Sequence, residues 1–143
     1  MSSCQKNDVD FLVDNQLVIP DYYPNVDFPS DNDFTKARWE LGKKLFYDPI
    51  MSVDSSLSCN SCHKQEYGFA DNVQFSNGVF DRKGIKNAPS LANVVLSPYL
   101  NFDGGVSTLE KQVLVPIQEH NEFDFNILLI QNRLKNDDDY VEL

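Results

Sequence analysis

SLSCNSCHKQEYGFAD, residues 56–71, packs two of the chain's three cysteines and one of its two histidines into the five positions from Cys59 to His63. Positions i, i+3 and i+4 of a helical turn lie on one face, so Cys59, Cys62 and His63 can present two thiols and an imidazole to the same object. Three chemistries compete for that pattern. Cys-x-x-Cys-His is the attachment motif of c-type haem, in which the thiols add to the two vinyl groups and His63 binds the iron as proximal ligand. A structural zinc needs four ligands, and only Cys4 and His120 remain to complete the set. A redox dithiol is expected within a βαβ pattern, and none surrounds this motif. Covalent haem is the favoured reading, and zinc and the dithiol are its rivals.

The residues on either side of the motif agree with haem. From Met51 to Pro89 the chain reads mostly as loop, punctuated by Gly68, Gly78, Gly84 and Pro89. Irregular segments of that length tend to be functional or to be organised around something other than their own side chains. A porphyrin supplies such a centre, and the ten Phe and six Tyr are suited to line it. Helices are expected on both sides. The first covers FTKARWELGKKLFYD, 34–48, where Ala37, Leu41 and Leu45 recur every four residues, Phe34 extends the stripe and Pro49 ends it. A short helix is expected over SLANVVL, 90–96. Another follows over STLEKQVLVPIQEH, 107–120, with Ser107 and Glu110 as a capping box and Pro116 ending or kinking it. The last is NILLIQNRLK, 126–135. No strand pattern is evident. The expected fold is mainly α, a haem-holding body with long loops over 34–143. Residues 1–33 form an extended arm in which VIPDYYPNVDFP, 18–29, wraps the body.

Length and charge bound the rest. At 143 residues and 16.3 kDa the chain is the size of one domain, and such a chain buries roughly 68–70% of its unfolded surface. A net charge of −10 argues against nucleic acid, whose phosphates it would repel. No apolar run approaches a membrane span, and no charged-then-apolar signal is present. Covalent haem implies maturation outside the cytoplasm. The start, MSSCQKNDVD, is similar to the mature end of a bacterial lipoprotein, with Cys4 as the residue that would carry lipid, or else Cys4 is incidental to a polar tail. The expected location is the periplasm or cell-envelope surface of a bacterium.

The sixth iron position of an electron-carrier cytochrome c is commonly capped by a methionine downstream of the motif. Met1 and Met51 both lie upstream, which points to an open iron. Three blocks then carry a specific resemblance: ELGKKLFYDPIMSVDSSLSCNSCHKQEYGFAD (40–71), KNAPSLANV (86–94) and FDGGVSTLEKQVLVPIQEHNEF (102–123). In order and spacing they resemble the N-terminal haem domain of bacterial di-haem cytochrome c peroxidases and their MauG-like relatives. The resemblance implies a mainly helical enzyme with two cytochrome c-like domains in more than twice this length, of which this chain is the first half.

It also implies residue roles. Cys59 and Cys62 attach haem c and His63 is its proximal ligand. Glu122 falls on the distal acid-base glutamate and Gln112 on a glutamine facing the distal pocket. Asn87 falls on an asparagine that helps bind calcium between the two domains. Three departures stand out. Val79 follows Gly78 where many members carry a ligating histidine, leaving an open haem or a ligand from elsewhere, with His120 the only spare imidazole. Phe102 replaces a tryptophan between the haems, and Gly105 replaces an arginine.

The implied reaction is reduction of hydrogen peroxide bound opposite His63. Glu122 moves a proton from the inner to the outer oxygen and Gln112 orients the substrate. An unperturbed glutamate, with a pKa of about 4.3, would be ionised and ready to act as base. Electrons would come from a small donor protein, a cytochrome c or a cupredoxin, through the haem of the C-terminal domain, and a homodimer is among the expected partnerships. The rival readings are a single-haem electron-transfer module and MauG-like oxidation of a protein side chain.

Overall fold

The computed structural model describes residues 12–13, 16–26, 28–101 and 104–142. Among these, regular structure is mainly helical. The exception is a two-stranded antiparallel ladder in the arm, β1 (Leu12–Val13) against β2 (Gln16–Leu17), with Leu12 opposite Leu17. Strands of two residues are too short to carry a period-2 pattern, so the expectation of no strand missed them. Side-chain bonds tie the arm to the body. Tyr23 Oη donates to Asn93 Oδ1 at 2.7 Å, and Asn32 Nδ2 donates to Glu110 Oε1 at 3.3 Å.

Helix α1 spans Lys36–Tyr47. Thr35 caps it, its Oγ1 accepting the Arg38 N–H at 3.2 Å, and Pro49 holds Asp48 extended and ends it. Asp48 Oδ1 then accepts the Ile50 N–H at 2.8 Å and starts a single 3-10 turn, Pro49–Met51. Of the expected stripe Phe34, Leu41 and Leu45 are half-buried, whereas Ala37 is exposed.

The region 107–120 departs from expectation in two ways. Thr108, not Ser107, is the N-cap, its Oγ1 accepting the Lys111 N–H at 3.3 Å, and Glu110 turns to Asn32 instead of closing a box. The helix is also divided, into α3 (Leu109–Gln112) and α4 (Leu114–Gln118). Pro116 has no N–H to offer the Gln112 carbonyl four residues back, and its ring crowds that group, so the break falls there while Pro116 sits in the first turn of α4. Over 90–96 only the 3-10 turn Val94–Leu96 forms, because Asn93 adopts φ 57° and stops helix propagation. Helix α5 (Ile127–Lys135) begins as expected, Asn126 Oδ1 accepting the Leu128 N–H at 2.9 Å. A further turn, α6 (Asp138–Val141), follows it.

The core is small: Met51, Ile117, Phe123 and Phe125, bordered by Leu45, Ile50, Val53, Cys59, Ile127 and Ile130. Arg133 of α5 fastens it. Its guanidinium donates to the carbonyls of Ile50 (2.9 Å), Ser52 (2.6 Å) and Val53 (3.3 Å), and stacks 3.9 Å from the Phe125 ring centroid. Cys59 therefore rests on the core, and the residues after it project into the loop region.

Candidate functional site

The motif forms a single helical turn, α2 (Cys59–Cys62), which α1 and the core support. Ser58 starts it, its N–H donating to Ser61 Oγ at 3.1 Å, and the His63 N–H closes it on the Cys59 carbonyl at 2.9 Å. The chain then doubles back. Lys64 pairs with Ala70 in an isolated bridge, and the Phe69 N–H reaches the Lys64 carbonyl at 2.8 Å. The reversal requires left-handed backbone at Gly68 (φ 64°) and Phe69 (φ 60°). Glycine adopts it freely, whereas phenylalanine is strained there.

That strain positions one atom. The Phe69 carbonyl oxygen lies 2.9 Å from His63 Nδ1. A carbonyl can only accept, so Nδ1 is the donor, and in the neutral ring Nε2 is then the nitrogen with the lone pair. A metal-binding histidine is typically held this way, with one ring nitrogen donating to a backbone carbonyl and the other facing the metal.

The two thiols are half-buried and unpaired. Burial pushes the Cys59 thiol up to about 11. Burial also pushes Cys62 up; a Ser76 hydrogen bond works against that, and the Asp71 and Glu122 carboxylates reinforce it. Redox dithiols have depressed pKa values, so these cysteines do not suit that chemistry. Among the described residues no three His, Cys, Asp or Glu side chains gather as a metal cage, and Cys4, the remaining thiol of the zinc reading, lies outside them. Two thiols one turn apart, beside an imidazole whose Nδ1 is held by a backbone carbonyl, fit the residues that a covalent haem c requires.

Asp71, to which the sequence reading gave no role, braces the loop. Its side chain is 4% exposed and accepts from Lys64 Nζ at 2.8 Å, Ser76 Oγ at 2.8 Å and its neighbour Asn72 N–H at 2.9 Å. Burial alone would raise its pKa, but the Lys64, Ser76 and Asn72 hydrogen bonds together hold it below the usual carboxylate range.

A second segment completes the site. The Glu122 carbonyl accepts the Val79 N–H at 2.9 Å, and the next carbonyl, of Phe123, accepts the Val53 N–H at 3.0 Å. Two loops thus hold Glu122 by backbone bonds, and its carboxylate is near enough to raise the Cys62 pKa. The Glu122 residue is exposed, yet the atoms crowding its carboxyl raise its pKa, with Glu119 adding repulsion. The expectation of an unperturbed carboxylate is corrected accordingly. Gln112 is half-buried at the end of α3, and its Oε1 is buried with no hydrogen-bond partner. An orphaned buried acceptor suits a pocket that receives a donor from outside the chain.

Val79, at the position expected to lack a histidine, is 1% exposed and works as a packing residue. His120 is engaged elsewhere: its Nδ1 lies 3.2 Å from Asp124 Oδ1, its side chain is 67% exposed, and Arg82 Nη1 donates to its carbonyl at 2.8 Å and to Asp124 Oδ2 at 2.6 Å. Asn87 stands apart from Glu122 and Gln112, exposed in an open groove of about 680 Å³ with Asp71, Asn72, Val73 and Ile85. A side chain at Gly105 would meet open space. The expectations for Cys4 and Phe102 lie outside the described residues.

Comparison with known proteins agrees with this geometry. Residues 36–143 match the family model described as di-haem cytochrome c peroxidase. A cytochrome c551 peroxidase of Pseudomonas aeruginosa is 40% identical over 108 residues, which cover 76% of this chain and 31% of that protein. The methylamine utilization protein MauG of Methylorubrum extorquens is 31% identical over 111 residues, 78% of this chain and 31% of the relative. Among solved structures, a MauG-like protein associated with microbial copper homeostasis superposes with a TM-score of 0.78 at 34% identity, covering 87% of this chain and 37% of that one. The chain spans about a third of the length of the relatives it matches.

Proposed function

The chain belongs to the di-haem cytochrome c peroxidase family, and we propose that it is the N-terminal, peroxidatic haem domain of an enzyme that reduces hydrogen peroxide. The carrying observation is the 2.9 Å contact between His63 Nδ1 and the Phe69 carbonyl, which supports Nε2 as the nitrogen that would bind the iron. Cys59 and Cys62 hold the haem covalently. When bound, the haem supplies the metal that takes up peroxide and the electrons that cleave it.

The chain's own residues handle protons and orientation. Glu122 in its ionised form takes the proton from one peroxide oxygen and returns it to the other, so that the departing oxygen leaves as water. Gln112 Oε1 accepts a hydrogen bond from the peroxide O–H and fixes its orientation; this is the partner its buried oxygen lacks within the protein. The raised pKa of Glu122 brings its conjugate acid closer to neutrality, which favours return of the proton.

The remaining parts are proposed with it, the electron route and the calcium site from the family resemblance and the lipid from the residues around Cys4. Electrons arrive from a small cytochrome c or cupredoxin through a second haem domain. Asn87 contributes to a calcium ion between the domains, Cys4 carries a lipid, and the enzyme works as a homodimer in the periplasm or at the envelope surface. Oxidation of a protein side chain is the second reading, favoured by the likeness to MauG and to the MauG-like structure.

The test is an absorption spectrum of protein matured with the c-type attachment machinery. A Soret band with a high-spin component that responds to peroxide is expected. A purely low-spin, peroxide-inert spectrum would make the chain an electron-transfer module instead.

A further inference from the structure

A line of aromatic rings runs to the surface from Phe69, the residue whose backbone carbonyl holds His63. The Phe69 carbonyl bonds to His63 at 2.9 Å. The Phe69 ring meets Phe46 edge-on at a centroid distance of 6.1 Å, and Phe46 meets Tyr47 edge-on at 5.0 Å. Both spacings are those of interacting aromatic pairs. Phe46 and Phe69 are half-buried, whereas Tyr47 is 45% exposed and Trp39 43% exposed. Tyr47 and Trp39 line one open groove along α1 with Lys43, Lys44 and Asp48. Lys43 Nζ lies 5.1 Å over the Trp39 ring.

We infer that this line conducts oxidising equivalents from the haem site to Tyr47, making the Tyr47–Trp39 groove a surface site of one-electron chemistry. The inference rests on the peroxidatic reading of the site. Phenylalanine is too hard to oxidise to hold a missing electron, so Phe69 and Phe46 bridge, and Tyr47 is the first side chain along the line that can be oxidised. The electron leaves Tyr47 through the bridge toward His63. The phenolic O–H breaks, its proton passes to the water that bathes the exposed ring, and a neutral phenoxyl radical remains. Trp39, in the same groove, then refills Tyr47, losing an electron and its indole N–H proton while the phenol regains a proton from water. Tyr47 then gives its electron again. One hydrogen peroxide thus takes two electrons and two protons and leaves as two waters, and one tyrosyl and one tryptophanyl radical are formed.

The experiment adds hydrogen peroxide to the haem-loaded, full-length enzyme without added reductant, in the presence of a nitroso spin trap. Peroxide consumption is followed, and trapped adducts are located by peptide mass spectrometry. Adducts at Tyr47 and oxidation at Trp39 are expected. Tyr47→Phe abolishes the adduct at that position, and Phe46→Leu, which keeps Tyr47 but removes the bridging ring, loses it while the Soret spectrum stays unchanged. If peroxide is consumed but the label falls on Tyr67 or spreads over the tyrosines, the conduction line is overturned and the peroxidase reading stands. If no peroxide is consumed, both fall.

Discussion

Gly78 lies so close to Asn121 that a β-carbon at position 78 would overlap the Asn121 carbonyl oxygen and stand 2.6 Å from its carbonyl carbon. The Gly78 backbone is ordinary, with φ −93°, so close approach is what demands glycine here. Gly78→Ala pushes on the segment that carries Glu122. Overpacking of this kind costs about 1–3 kcal/mol, and urea denaturation should show it. Peroxide turnover of the haem-loaded enzyme should fall at the same time, because displaced reacting groups lose rate steeply.

Glu122→Gln removes the proton carrier. Peroxide turnover should drop by about 10²–10⁴-fold, the contribution of positioned acid-base catalysis, with the Soret spectrum retained. Unchanged turnover would take Glu122 out of the mechanism.

The pH dependence of the wild-type enzyme follows from the raised Glu122 pKa. The base form is lost as pH falls through that value, so the acid limb of the rate profile should lie above the usual carboxylate range. Glu119→Gln removes the repelling neighbour and should move the limb to lower pH. A limb that stays in place would dissociate Glu122 from the observed ionisation.

Asp71 governs stability in acid. Its folded pKa lies below the unfolded value, so its contribution is present above the unfolded pKa of about 3.9 and is lost as pH falls through the depressed folded value. Asp71→Asn should lower stability at neutral pH and flatten the dependence at acid pH. Denaturation series at several pH values test both signs.

Arg133→Ala leaves the carbonyls of Ile50, Ser52 and Val53 without their charged donor. A loss of about 2–4 kcal/mol is expected from bonds of this kind. Arg133→Lys keeps the charge but not the fork, and should recover only part of that loss in the same denaturation experiment.

Much of this site was legible in the residue order. Cys59, Cys62 and His63 announced their shared face through spacing alone, and residues 34–48 announced a helix through apolar residues recurring every four positions and the stop at Pro49. The arm's ladder was hidden because two residues cannot display a period. The divided helix at Gln112 was half visible, since Pro116 foretold a break but not that it would fall four residues upstream. Asp71 was hidden because nothing local distinguishes a buried, triply bonded aspartate from a solvated one.

By itself the sequence determined what the site is made of: two thiols and an imidazole at fixed helical offsets, local relations that the chain carries wherever it folds. Only the tertiary structure decided how those groups are set. It turned the Phe69 carbonyl onto His63 Nδ1, drew Glu122 against the Gly78 loop, left the Gln112 oxygen buried without a partner and lined Phe69, Phe46 and Tyr47 ring to ring. The Glu122–Val79 and Phe69–Phe46 contacts join segments distant in sequence, and such contacts exist only once the chain is packed.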